Sequence, residues 1–142
     1  MISDNIIQAD FVADLKADAA VLAILASASE VKEDQYQGTV FVYPAVRVSI
    51  ESQTPITNRG PSCDHARLRM TLYAYSEVAS SQNADILAGV MNAKYHRRFF
   101  RGTGWYTWLY SSGLRSAVRI SERLWRADVP LIGTVYPSTA TP

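Results

Sequence analysis

His65-Ala66-Arg67-Leu68-Arg69-Met70-Thr71-Leu72-Tyr73-Ala74-Tyr75-Ser76 alternates apolar and polar residues along almost its whole length. Successive side chains of a strand point to opposite faces, so a period of two marks a half-buried strand, here over residues 64–76. Leu68, Met70, Leu72 and Ala74 share the apolar face; Arg67, Arg69, Thr71, Tyr73 and Tyr75 share the polar one. The same period runs through residues 39–51, where Val40, Val42, Val46, Val48 and Ile50 oppose Arg47, Ser49 and Glu51. Pro44 cannot donate to a ladder, so regular pairing is expected to begin there or to lie at an edge. Strands with one solvated face belong to antiparallel sheets covered on a single side.

The covering layer is legible on both flanks. Ile7, Phe11, Leu15, Ala19, Leu22 and Ala26 recur at helical spacing, with Val12, Val21 and Leu25 widening the stripe, which predicts a helix over 4–26. Ser3 or Asp4 can cap it. A second helix is expected from a cap at Ser80 or Ser81 to about His96, with Leu87, Val90 and Met91 along one side and Lys94, His96, Arg97 and Arg98 at its negative end. Residues 27–38 read as a loop, and 52–63, with two prolines and a glycine, as a long exposed one. After the second helix, Trp105–Tyr110, Leu114–Leu124 and Leu131–Tyr136 read as strands, with turns at Ser112-Gly113 and Asp128–Pro130. The sum is an α+β fold: an antiparallel β-sheet of four or five strands with two main α-helices packed on one face, in the order α-β-β-α-β-β. Residues 1–136 are expected to form one domain, and 137–142 a small, polar, mobile tail.

At 142 residues, 48% hydrophobic and 19% charged, the chain has ordinary globular composition and is long enough to bury a core. One cysteine, Cys63, excludes an internal disulfide and a cysteine-rich zinc site. No stretch reaches the about 18 apolar residues of a membrane span, and the acidic start MISDNIIQADF is unlike a secretion signal, so a soluble intracellular protein is expected.

The net charge of +1 conceals an asymmetry. Residues 1–34 hold seven acids and two bases, whereas residues 94–126 hold eight bases and one acid. Either the two regions pair inside the fold, or the acidic surface around Asp10, Asp14 and Asp18 meets the basic surface of another copy, a head-to-tail contact that closes into rings.

Enzymatic chemistry finds little footing. Cys63-Asp64-His65 gathers three possible ligands, but the remaining histidine is the distant His96, and no CxxC or HExxH spacing exists. There is no GxSxG elbow, no Walker loop and no dinucleotide fingerprint. Asp14 and Asp18, one helical turn apart, read as a solvated face. No metal, no cofactor and no catalytic residue is expected. The segment KYHRRFFRGTGWYTW (94–108) stands out instead. Residues 95–110 hold seven of the fifteen aromatic residues, interleaved with Arg97, Arg98 and Arg101. Arginine beside Trp105 and Trp108 suits a protein interface, and equally the stacking and phosphate contacts of single-stranded nucleic acid. Arg101-Gly102-Thr103-Gly104-Trp105 faintly echoes an RNA-binding strand motif, with Thr103 where an aromatic residue belongs. On the polar strand faces, Arg47, Arg67, Arg69, Arg115, Arg119 and Arg123 line one surface if the strands share a sheet.

Leu15, Asp18, Val21, Ile24 and Leu25 in the first helix, Pro44-Ala45-Val46-Arg47-Val48, and His65–Ser76 leading into the helix Ala84–Lys94 together resemble the tail-terminator or tail-completion (head–tail joining) proteins of long-tailed bacteriophages. The resemblance is one of layout and hydrophobic pattern over roughly residues 10–136, and the aromatic stretch Phe99–Tyr110 is longer than that family usually has there. It implies a structural virion protein, assembled in the host cytoplasm. Its copies form a homo-oligomer, a hexameric ring at the head-proximal end of the tail, with the tail-tube protein on one side and head-completion or connector proteins on the other. DNA would pass through the lumen without sequence-specific binding. Another neck protein, a head-closure or adaptor component, and a small single-stranded nucleic-acid-binding module are the alternatives. The residues expected at contacts are Asp10, Asp14, Asp18, Arg59, Arg97, Arg98, Arg101, Trp105, Trp108, Arg115, Arg119 and Arg123.

Overall fold

The computed structural model describes residues 2–25, 27–33, 42–56, 65–77 and 81–137. The expected positions Arg59, Cys63, Asp64 and Ser80, the segment 39–41, the centre of the long loop at 57–63 and the tail beyond 137 lie outside the described residues.

The elements run α1 (Asp4–Lys16), α2 (Ala19–Leu22), β1 (Val31–Glu33), β2 (Ala45–Pro55), β3 (Ala66–Glu77), α3 (Gln82–Tyr95), β4 (Arg98–Gly102), β5 (Trp105–Ser111), β6 (Arg115–Arg119) and β7 (Leu124–Pro137). The α+β class stands, but the sheet has seven strands, in the order β1-β2-β3-β7-β5-β4 with β6 also on β7. It is not purely antiparallel, because β1 runs parallel to β2.

The differences have local causes. The helix expected over 4–26 breaks after Lys16, where the Asp18 carboxylate accepts the Val21 N–H at 3.0 Å and starts α2 as its cap. β1 is three residues long, too short to show a period in the sequence. β2 begins directly after Pro44 and runs on to Pro55, so the first residues of the expected loop are strand. A register shift between Ile50 and Ser52 leaves Glu51 as an extra residue, which reverses the alternation just where the sequence stops looking like a strand. α3 ends at Tyr95, and Arg97, at φ 56°, turns the chain directly into β4. Arg97 and Arg98 therefore belong to a turn and a strand, not to a helix end.

The turn expected at Asp128–Pro130 is absent; β7 passes straight through it. Pro130 is tolerated because its carbonyl, which faces the same way as its ring nitrogen, receives Ser112 N–H at 3.0 Å at the break between β5 and β6. No ladder partner there needs the missing N–H. The long strand expected over Leu114–Leu124 is shortened by a turn after Arg119, and a register shift between Arg115 and Val118 corrects its faces. Arg115 and Val118 share a face, opposite Asp128 and Arg126, whereas Arg119 lies opposite Trp125.

One hydrophobic cluster joins the inner sheet face to both long helices: Ile7, Phe11 and Leu15 of α1 and Leu87, Met91 and Tyr95 of α3 meet Val48, Leu68, Met70, Leu72 and Val129. The inward set predicted for β3 is buried as expected. The other sheet face carries no helix, and two of its predicted solvated members, Arg47 and Thr71, are nonetheless buried. Arg47 donates to the Glu30 carbonyl at 2.8 Å, tying the segment before β1 to β2.

Candidate functional site: the open sheet face and its hairpin

The acidic helix resolves first, because it settles what is left on the surface. Asp10 accepts the backbone N–H and the hydroxyl of Thr103, each at 2.8 Å, and the Trp105 indole N–H at 2.7 Å. Trp105 has no exposed surface, and its ring leans on Phe11 and Phe100. Gly102 makes this possible: a Cβ there would fall into the Trp105 indole and against the Asp10 carboxylate. Asp14 accepts the Tyr95 hydroxyl at 2.7 Å and lies 3.3 Å from Lys94, which also meets Asp18 at 2.9 Å.

Ionisation follows this geometry. The Lys94 hydrogen bond holds the Asp18 carboxyl below its ordinary value, against the opposing effect of burial. Burial disfavours the Lys94 ammonium, but its two carboxylates more than offset that and raise it. Burial, reinforced by Asp14, pushes the Tyr95 phenol far up. Trp105, expected at a contact, is instead fully buried, and with Asp10, Asp14 and Asp18 it locks α1 to α3 and to the β4–β5 turn. The acidic and basic regions meet within the fold at Lys94, Asp14 and Asp18. The echo of an RNA-binding motif at 101–105 is a turn around Gly104, with its tryptophan facing inward.

The uncovered sheet face is different. Cross-strand pairing sets its side chains in rows. Arg101 lies opposite Tyr106, which lies opposite Tyr136, and the His65 ring meets Tyr136 edge-on at 4.5 Å. In the next row Phe99 lies opposite Trp108, with Thr134 and Arg67 paired beyond them. In the third, Tyr110, Ile132 and Arg69 line up across β5, β7 and β3. Trp108 is 52% exposed and Tyr110 49%. Together with Arg67, Arg69, Ile132 and Tyr136 they line a shallow groove of about 460 Å³. Arg101 sits 5.7 Å from the centres of both the Phe99 and Tyr106 rings, a cation over aromatic faces.

The β6–β7 hairpin continues this face. Leu114, Val118 and Ile120 are about half exposed. Asp85, at the start of α3, accepts the Ala117 N–H at 2.8 Å and pins β6 to the body. Arg119 folds back onto the Ser121 and Glu122 carbonyls and stabilises the hairpin tip. Among the described residues ten large hydrophobic side chains are exposed, and seven of them lie on β4, β5, the β6 segment or β7; exposed apolar surface gathered on one half of the molecule suits an interaction site.

Of the expected contact residues, Trp108, Arg101, Arg98, Arg115 and Arg123 are exposed on the β4–β7 half, and Arg97 in the turn before it. The structure adds Arg67, Arg69, Tyr110, Ile132 and Tyr136. The alternation of β3 already placed the two arginines on the polar face; nothing in the sequence brought them beside Trp108, because β7 separates β3 from β5. Among the described residues no group of three His, Cys, Asp or Glu side chains is placed to hold a metal ion, and no helix is long and apolar enough to cross a membrane.

No family model matches the chain, and no curated protein matches it. Solved structures do. One is a chain of the "Virion of native gene transfer agent (GTA) particle", similar at a TM-score of 0.71 over 93% of this chain and 96% of that one, with 16% identity. At that identity the likeness establishes a shared fold.

Proposed function

We propose that the chain is a structural subunit of a bacteriophage-type virion. It forms a ring at the head-proximal end of the tail, ends tail-tube growth and joins the tail to head-completion proteins. The observation that carries this reading is the end-to-end match to a virion chain: with 93% and 96% coverage, the whole domain is shared and not a common fragment of one. The resemblance of Leu15–Leu25 and His65–Ser76 to tail-completion proteins gives the finer assignment.

The chemistry of such a role is surface complementarity, with no turnover and no cofactor. The hairpin supplies the neighbour contact in this reading. Val118 on β6 and Leu114 and Ile120 flanking it offer apolar area, on a strand that among the described residues pairs with β7 alone. With Asp10, Asp14 and Asp18 engaged internally, that contact is apolar in character and holds at raised salt.

Light scattering on the purified chain, with negative-stain images, tests the reading. Rings of about six copies that persist at raised salt are the expected result. Val118→Asp with Ile120→Asp is expected to yield folded monomers. A wild-type chain that stays monomeric at high concentration, with a tail-tube protein present, would overturn it.

A further inference from the structure

We infer that the open sheet face is a binding surface for single-stranded nucleic acid, with Arg67 and Arg69 on phosphates and Trp108 and Tyr110 under bases. Two observations lead there.

Around Trp108 and Tyr136 the described residues of the face are cationic, and the described acids nearest to them, Glu51 and Asp128, line a neighbouring pocket with Arg69. Arg67 and Arg69 are exposed and form no ion pair among the described residues, and the three rows that include Trp108 and Tyr136 hold no carboxylate. Asp10, Asp14 and Asp18 are engaged with Trp105, Tyr95 and Lys94, and other exposed acids among the described residues, Asp4, Glu77, Asp85 and Glu122, lie on separate elements. Exposed arginines beside exposed aromatic rings suit an external polyanion.

The aromatic rings are arranged for stacking. Trp108 and Tyr110 follow each other on one face of β5, two residues apart and each about half exposed. The arginines stand across β7 from them, bordering the same groove. Aromatic platforms flanked by a basic track hold unpaired bases, since every base has a π-face. A duplex hides those faces and would use the arginines alone.

The inference is independent of the ring: a ring that binds no oligonucleotide removes only this inference, and a monomer that binds one removes only the other. The probe is a labelled oligo(dT) of about 16 nucleotides with the full-length chain, read by anisotropy and by tryptophan fluorescence. Expected are binding at about 50 mM salt that weakens steeply toward about 200 mM, and quenching of the Trp108 emission. Trp108→Ala should abolish most of the quenching and weaken binding about tenfold. Arg67→Ala with Arg69→Ala should lower the salt slope by about 1.4. Arg123→Ala, on the hairpin, serves as a control and should change neither. Trp108→Phe keeps a ring and should keep most of the affinity, which separates stacking from misfolding. The inference fails if the oligonucleotide does not bind at low salt. It fails equally if both face variants bind like wild type, if a duplex binds as tightly, or if poly-glutamate competes as well as the oligonucleotide. The last result would assign the face to an acidic protein.

Discussion

The two faces of the sheet are built from the same alternating strands and have opposite fates. On the helix-covered face, Leu68, Leu72, Leu109 and Val129 are fully buried, and at its margin Asp10 meets three donors and Lys94 two carboxylates. On the open face, Trp108 and Tyr110 remain half exposed, and Arg67 and Arg69 make no ion pair among the described residues. The difference shows where charge complementarity went. On the covered side Lys94 meets Asp14 and Asp18, while Arg67, Arg69 and Arg101 stand on the open face.

Substitutions that test this contrast should fall in a clear order. Trp105→Ala removes the largest fully buried side chain and strands Asp10; it should cost about 3–5 kcal/mol in denaturant unfolding. Gly102→Ala forces a methyl group into the same contact and should cost about 1–3 kcal/mol. Lys94→Met breaks a partly exposed triad and should cost about 1–2 kcal/mol near neutral pH.

That third variant also carries a pH signature. The lowered Asp18 pKa means its contribution is complete above its ordinary 3.8 and is lost as pH falls through the folded value. The raised Lys94 pKa means its contribution is complete below 10.5 and is lost as pH rises through the folded value. Stability measured against pH should flatten at both ends in Lys94→Met; unchanged curvature would show that the triad is not coupled to folding. At the small end, Trp108→Ala should alter stability by no more than about 0.5 kcal/mol, although it removes an aromatic residue as large as Trp105. A cost near that of Trp105→Ala would mean the open face is part of the core.

Much of this organisation was legible in the residues. The inward set of β3, the two long helices and the strand start after Pro44 follow from periodicity and from proline's missing donor. What escaped did so for physical reasons. β1 is too short for a period, and β4 follows α3 after a two-residue turn with Arg97 left-handed, so Arg97 and Arg98 read as a helix end. The bulges at Glu51 and between Arg115 and Val118 reverse the alternation without any glycine or proline to announce it. Trp105 and Trp108 looked alike as interface residues. Three positions apart in a strand, they face opposite ways, and only the strand register told which one is buried.

The sequence by itself determined the α+β class, the faces of the long strands and the segregation of charge, because those depend on side-chain period and composition, which are local. The tertiary structure decided which acids meet which bases, which tryptophan is exposed, and that Arg67 and Arg69 share a groove with Trp108. Those are contacts between residues about forty to ninety positions apart, brought together when β7 inserts between β3 and β5 and when α1 packs beside the β4–β5 turn. No local pattern encodes that pairing, since it is fixed by the burial of the whole sheet face at once.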